Sequence, residues 1–221
     1  MNIQELIDKS LAKKQTEREN REPSGFISPS SLGFCYRKQY WKRKGEKPSN
    51  PNDARGIRKL HCGNLFHDFV QQFIPDSQVE VECQKDDIRG RADIVDSDTV
   101  YDIKSMHSKG FIYMVKNGYD VRKEKYQAWL QVSCYGVILN KPKVNLVIVS
   151  KDDLLIKQYY DETKNWIDAL ARELYTIRSN WNKKELPEAE ARAYGGKECK
   201  WSTGCCEYLD KCKKIGGKQW I

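Results

Sequence analysis

Ile3, Leu6, Ile7 and Leu11 recur at helical spacing, which predicts an exposed helix over residues 2–20. Two prolines and a glycine between Glu22 and Pro29 end it. Ser30 or Ser31 then caps a short helix through Cys35, Tyr36, Tyr40 and Trp41, and residues 45–53 form a polar loop. Over residues 54–73, Leu60, Leu65, Phe66, Phe69, Val70 and Phe73 make the apolar stripe of a longer helix, closed by Pro75.

The period then shortens from helical to alternating. Val79 to Cys83 and Ile88 to Val95 read as strands, Asp96-Ser97-Asp98 as a turn, and Thr99 to Lys104 as the next strand of an antiparallel meander. Residues 107–122, rich in glycine, lysine and aromatic residues, read as a variable loop, and residues 124–139 as a helix ending at Asn140-Lys141-Pro142. Lys143–Ser150 is a buried-type strand and Leu154 to Tyr160 another, joined through Asp152-Asp153. Trp166, Ile167, Leu170, Leu174, Ile177 and Trp181 mark a long amphipathic helix over residues 161–183. The expected fold class is α/β, a mixed sheet flanked by helices.

At 221 residues the chain is long enough to bury a substantial core, and one domain is expected. No apolar run approaches the roughly 20 residues of a membrane span. The polar, mixed-charge N-terminus does not read as a targeting segment, so a cytoplasmic protein is expected, or one in a host cytoplasm if phage-encoded. A net charge of +8 fits a polyanionic partner. Eight cysteines without a secretion signal point to metal or cluster ligation rather than disulfides. Cys199, Cys205, Cys206 and Cys212 crowd the tail, while Cys35 lies far upstream. Cys62, Cys83 and Cys134 fall in apolar elements and read as small core residues.

Four short motifs carry candidate chemistry. They are Gly63-x3-His67 on a helix, Gly90-x2-Asp93 on a strand, Asp102-Ile103-Lys104 on the next strand, and Gln131-x3-Tyr135 on the following helix. Strand side chains alternate, so Asp102 and Lys104 share a face. Asp93 and Asp102 on adjacent strands can converge on a hard cation such as Mg2+ or Mn2+, with the Ile103 carbonyl as a backbone ligand. Lys104 can orient the attacking water and offset charge developing on a phosphate. Each motif alone is common; their order and placement are what carry information.

That order resembles the RecB-like nucleases of the PD-(D/E)XK superfamily, over nearly the whole chain. The resemblance implies a restriction-endonuclease-like core in which His67, Asp93, Asp102 and the Ile103 carbonyl hold the metal. It makes Lys104 catalytic together with Asp93 and Asp102. Gln131 and Tyr135 would contact DNA or support the site, with Gln127 one turn earlier adding a contact. Ala92 stands where the superfamily name has proline, and Asp102 where glutamate is more usual; neither change removes a carboxylate.

The segment from Ser30 to Tyr40 resembles the N-terminal cysteine motif of the iron–sulfur members of this family. The resemblance implies a 4Fe-4S cluster on Cys35, Cys199, Cys206 and Cys212, four thiolates as such a cluster requires. The gap from Cys199 to Cys206 is wider than the family's, so Cys205 remains an alternative ligand, and zinc remains an alternative occupant. The expected organisation is a helix and linker over residues 1–27, a catalytic core over 54–186, and a cysteine-ligated cap formed by 28–53 with 187–221.

Arg37, Lys38, Tyr40, Trp41, Lys42, Arg43 and Lys44 interleave charge with rings, as do residues 109–126, where Lys116 and Arg122 are expected to meet phosphates. The format resembles CRISPR-associated RecB-like exonucleases and phage recombination exonucleases. This implies an exonuclease on single-stranded DNA ends, with endonuclease activity as a further option. The partners implied are DNA and an integrase, recombinase or CRISPR adaptation complex, with no membrane. A catalytically inactive iron–sulfur or zinc adaptor that binds nucleic acid is the alternative from another class, and a structural partner of a recombinase is a third.

Overall fold

The computed structural model describes residues 1–19, 22–183, 185–193, 196–201 and 204–215. Helix α1 (Ile3–Glu19) is followed by a 3-10 turn at Pro29–Ser31, α2 (Tyr36–Arg43) and α3 (Ala54–Gln71). Strands β1 (Val79–Lys85), β2 (Ile88–Val95) and β3 (Thr99–Met106) come next, then α4 (Ser108–Lys116), α5 (Val121–Glu124) and α6 (Tyr126–Ile138). Strands β4 (Lys143–Ser150) and β5 (Ile156–Glu162) precede α7 (Ile167–Asn182). The tail holds a short hairpin, β6 (Lys200–Trp201) with β7 (Gly204–Cys205), and α8 (Leu209–Ile215). Residues 216–221 of the expected cap lie outside the described residues.

The five-stranded sheet runs β1-β2-β3-β4-β5. Its first three strands form the expected antiparallel meander. β3 and β4 pair in parallel, which requires the crossover that α4, α5 and α6 supply, and β5 returns antiparallel to β4. Helices cover both faces. Val100, Val144, Leu146 and Ile148 join Trp129, Leu130 and Val132 of α6 and Leu170 and Ile177 of α7 in the main core. Ile94, Ile103, Val147 and Val149 form a second core on the opposite face, against Phe66 and Val70 of α3. Because β4 is covered on both sides, it is apolar at successive positions rather than alternating. This mixed sheet between helices is the architecture expected from the sequence.

Two elements differ from the sequence expectation. Residues 107–122 are α4 and α5 rather than a loop. His107 caps α4 by accepting the Lys109 N–H, Asp120 caps α5, and Phe111, Met114 and Val121 turn inward. The stripe on α3 is also narrower than its sequence pattern. Leu60, Leu65 and Phe73 are exposed, because α3 covers only a small second core, while α1 lies along it through an Asp8–Arg58 ion pair.

The β1–β2 ribbon breaks its pleat. Cys83 and Ala92 belong to the main core, while Val79 packs against the second core and Ile94 lies in it. Strict alternation would keep Cys83 with Val79 and Ala92 with Ile94. The inversion falls at Glu80 and Asp93, which the flanking pairs Val79↔Ile94 and Val81↔Ala92 set opposite one another. Glu80 has a left-handed backbone, φ 51°.

Candidate metal centre

β2 and β3 pair only at Ile94↔Tyr101 and Val95↔Val100. Beyond these residues the strands part, and Asp93 and Asp102 stand at the opening of the fork. Asp93 Oδ2 accepts the Ile103 N–H at 2.7 Å, so a carboxylate rather than another strand meets this main-chain group.

Asp102 is 1% exposed, and neither of its carboxylate oxygens has a hydrogen-bond partner. Lys104 Nζ lies 2.6 Å from Oδ2 and sets a positive charge against this carboxylate. Burial pushes the Asp102 carboxyl up to about 6; Lys104 opposes the rise and the charge of Asp93 adds to it. A buried carboxylate with orphaned oxygens is the environment a cation relieves.

His67 reaches the same fork from α3, its Nδ1 3.4 Å from Asp93 Oδ2. Burial disfavours its charge, but the hydrogen bond and charge of Asp93 outweigh this and raise its pKa. Gln131 on α6 accepts from Lys104 Nζ at 3.4 Å, which fixes the direction of the ammonium. Tyr135, one turn further along α6, is buried, and burial drives its phenol far above its ordinary range. Its ring presses on Gly90, where an added Cβ would meet Tyr135 Oη at 2.8 Å, so the glycine of that motif is a steric requirement. Gly63 faces open space, and nothing around it requires a glycine.

Glu80 was not among the residues expected at this site. Among the described residues, the one set of three His, Cys, Asp or Glu ligand atoms within 4.8 Å of one another is His67, Glu80 and Asp93. Gln71 Nε2 donates to Glu80 Oε1 and to the Asp93 carbonyl, both at 2.9 Å, and Arg91 Nε lies 2.5 Å from Glu80 Oε2. The signal that marks Glu80 is its backbone, and the regular alternation of Val79-Glu80-Val81-Glu82 conceals it.

Cys35 and the tail cysteines are brought near one another by the fold. Cys35 stands just before the first residue of α2, and the Cys206 N–H bonds the Cys199 carbonyl at 2.9 Å. The β6–β7 hairpin therefore takes up the wide sequence gap and returns Cys206 beside Cys199. Burial raises the Cys199 thiol, and Cys35 and Cys212 add to the rise. Burial pushes Cys206 up to about 11, against the Tyr208 N–H and Lys38. Cys35 is raised by burial, against the N–H groups of Glu190, Lys38 and Arg37. Cys83 and Cys134 are buried in the main core as expected, whereas Cys62 is half-buried.

Two buried carboxylates tie these segments together. Glu173 of α7 accepts the Gly33 N–H at 2.8 Å, the Tyr36 hydroxyl at 2.9 Å and Arg192 at 2.7 Å. Glu198 accepts the N–H groups of Cys35, Arg192 and Ala193. Neither was foreseen, because each bridges the N-terminal segment and the tail across more than a hundred residues.

Several residues expected on a DNA surface have other partners. Arg37 is buried, donating to the Pro187 carbonyl at 2.6 Å and to Cys212 Sγ at 3.5 Å. Trp41 is buried against Tyr208. Gln127 points away from the fork, toward Gly33 and the Arg192 carbonyl. Arg122 pairs at 2.7 Å with Asp161, a buried acid that also accepts from Asn165 and Trp166. Lys109, Tyr113 and Lys116 remain exposed on α4, directly after the strand that carries Lys104.

No protein-family model matches the sequence, and neither does any curated protein. Solved structures do. The crystal structure of SSO0001 superposes with a TM-score of 0.56 at 18% identity, over 84% of this chain and 93% of that one, which shows a shared fold. An alkaline exonuclease from Laribacter hongkongensis, LHK-Exo, superposes with a TM-score of 0.49 at 12% identity, over 75% of this chain and 92% of that one. No helix among the described residues is long and apolar enough to cross a membrane.

Proposed function

We propose that this chain is a divalent-metal-dependent nuclease that hydrolyses DNA phosphodiester bonds, acting on single-stranded ends. The observation that carries the reading is the Asp93–Asp102 fork, where a buried carboxylate without hydrogen-bond partners sits beside a second carboxylate, a histidine and a lysine. The donor set fits a hard ion, with His67, Asp93, Asp102 and the Ile103 carbonyl as ligands. A Mg2+ or Mn2+ ion held there would polarise the phosphate and lower the pKa of a water. Lys104 offsets negative charge developing on the phosphate, and Gln131 holds it in place. Tyr135 supports the site by packing on Gly90 rather than by stacking on DNA. Lys116, on the exposed face of α4, tracks the substrate backbone. End-labelled single-stranded DNA incubated with Mn2+ tests the reading. The wild type should degrade it and Asp102→Ala should not; binding without cleavage by the wild type would favour a nucleic-acid-binding adaptor.

Cys35, Cys199, Cys206 and Cys212 are the proposed ligands of a 4Fe-4S cluster. Tetrahedral zinc, with Zn–S of about 2.3 Å, draws its sulfurs to within about 4 Å of one another. Zinc on the same four thiolates is the alternative occupant, and it would leave the protein without iron or labile sulfide. Lys38 places positive charge beside Cys199 and Cys206 and opposes part of the rise that burial imposes on them. Iron and acid-labile sulfide content of anaerobically purified protein checks the assignment.

A further inference from the structure

We infer that Glu80 is an additional ligand of the divalent ion, delivered to it by the pleat inversion of the β1–β2 ribbon. The inference rests on the reading of the fork as a divalent-metal site and adds a residue that no motif in the sequence marks.

Three observations converge. The first is position. His67, Glu80 and Asp93 present one ligand atom each within 4.8 Å of one another. The buried carboxylate of Asp102 stands on the neighbouring strand, one residue before the Ile103 N–H that Asp93 accepts, and its oxygens have no hydrogen bonds. Three acids therefore lie on three adjacent strands at one opening, oxygen donors of the kind a hard cation takes.

The second is backbone conformation. Glutamate disfavours a left-handed φ, yet Glu80 adopts φ 51°. At that residue, and at Asp93 opposite, the ribbon exchanges its two faces. Without the inversion, the cores to which the flanking apolar residues belong would change. An irregularity in a ladder re-aims side chains, and such features concentrate beside functional sites.

The third is the support around the carboxylate. Gln71 is buried and its amide spans Glu80 Oε1 and the Asp93 carbonyl, 2.9 Å from each, so one side chain fixes both acids relative to one another. Arg91 meets the remaining oxygen from the solvent side, 60% exposed. An exposed pair of this kind contributes little stability and leaves the carboxylate exchangeable. Arg91 thus compensates the charge of Glu80 while the metal is absent and yields it to the ion.

Mn2+ titration of the full-length, chelator-treated protein, followed by electron paramagnetic resonance, tests this with Glu80→Gly, Glu80→Gln and Asp102→Asn. Both Glu80 variants should bind Mn2+ about 10-fold or more weakly, the lower bound being the effect of losing a residue that merely orients a ligand. Glu80→Gly should also melt no lower than the wild type without metal, because glycine accepts the left-handed backbone. Unchanged Mn2+ affinity in both Glu80 variants, with binding lost in Asp102→Asn, would overturn the inference and leave the fork reading intact. A wild type that binds no Mn2+ would overturn both. If Glu80→Gly fails to fold, Glu80→Gln decides, since it keeps the side-chain shape and the Gln71 contact.

Discussion

The fork and the cysteine-bearing segments treat buried carboxylates in opposite ways. Glu173 and Glu198 are as deeply buried as Asp102, yet donors from the N-terminal segment and the tail surround them. Asp102 has an ammonium nearby and no hydrogen bond. The first arrangement is complete within the protein and holds two distant stretches of chain together. The second is incomplete, with like charges abutting and a strained residue beside them. Satisfied polar networks serve structure, whereas a buried carboxylate left without partners leaves a charge that a bound cation can offset.

The largest expected effect that separates the two regions is catalytic. Lys104→Ala should lower kcat on single-stranded DNA by about 10^2- to 10^4-fold. The fold should survive, since the Lys104 side chain is partly exposed. Steady-state cleavage and circular dichroism on one preparation check both halves.

The next effect runs the other way. Glu173→Ala removes the partner of Arg192, Tyr36 and the Gly33 N–H, and should cost about 3 kcal/mol or more of stability. In cluster-free protein, Cys212→Ala should cost far less, because the carboxylates rather than the thiols knit the segments. Chemical denaturation of the two variants sharpens the contrast; equal losses would show that the thiols hold these segments as much as the carboxylates do.

A pH effect follows from Asp102. Its folded pKa of about 6 stands above the ordinary 3.8, so the folded state binds the proton more tightly than the unfolded chain. Metal-free stability therefore falls as pH rises between these values and levels off above about 6. A shift of this size corresponds to about 2–3 kcal/mol. Asp102→Asn should remove the dependence and leave the metal-free protein more stable at pH 8 than the wild type. Thermal unfolding in chelator across the range reads it directly.

The smallest expected effect is at the surface. Lys116→Glu should weaken single-strand binding uniformly across sequences and reduce the salt slope by about one phosphate contact. Arg122→Glu should instead lower stability, since its partner Asp161 is buried.

The sequence is legible where one residue type does one job. The alternation of β1 to β3, the apolar run of β4 and the stripe of α7 read directly, and the order of His67, Asp93, Asp102 and Lys104 located the fork. Gly110 and Gly118 disguised α4 as a loop, although Phe111 and Met114 bury one helical face. Glu80 was hidden because a pleat inversion without glycine leaves no mark in a pattern of alternating residues. Glu173 and Glu198 were hidden because their partners are remote in sequence and became neighbours only on folding. Arg37 and Trp41 looked like surface residues because charge and rings alternate around them, and only the tail that covers them shows otherwise.

The most direct test of the central claim is degradation of end-labelled single-stranded DNA by anaerobically purified protein in Mn2+, with Asp102→Ala beside it. Loss of full-length substrate with the wild type, none with the variant, and full inhibition by chelator is the result expected. Equal cleavage by both proteins, or DNA binding by the wild type without cleavage, would contradict the assignment of the Asp93–Asp102 fork as a nuclease centre.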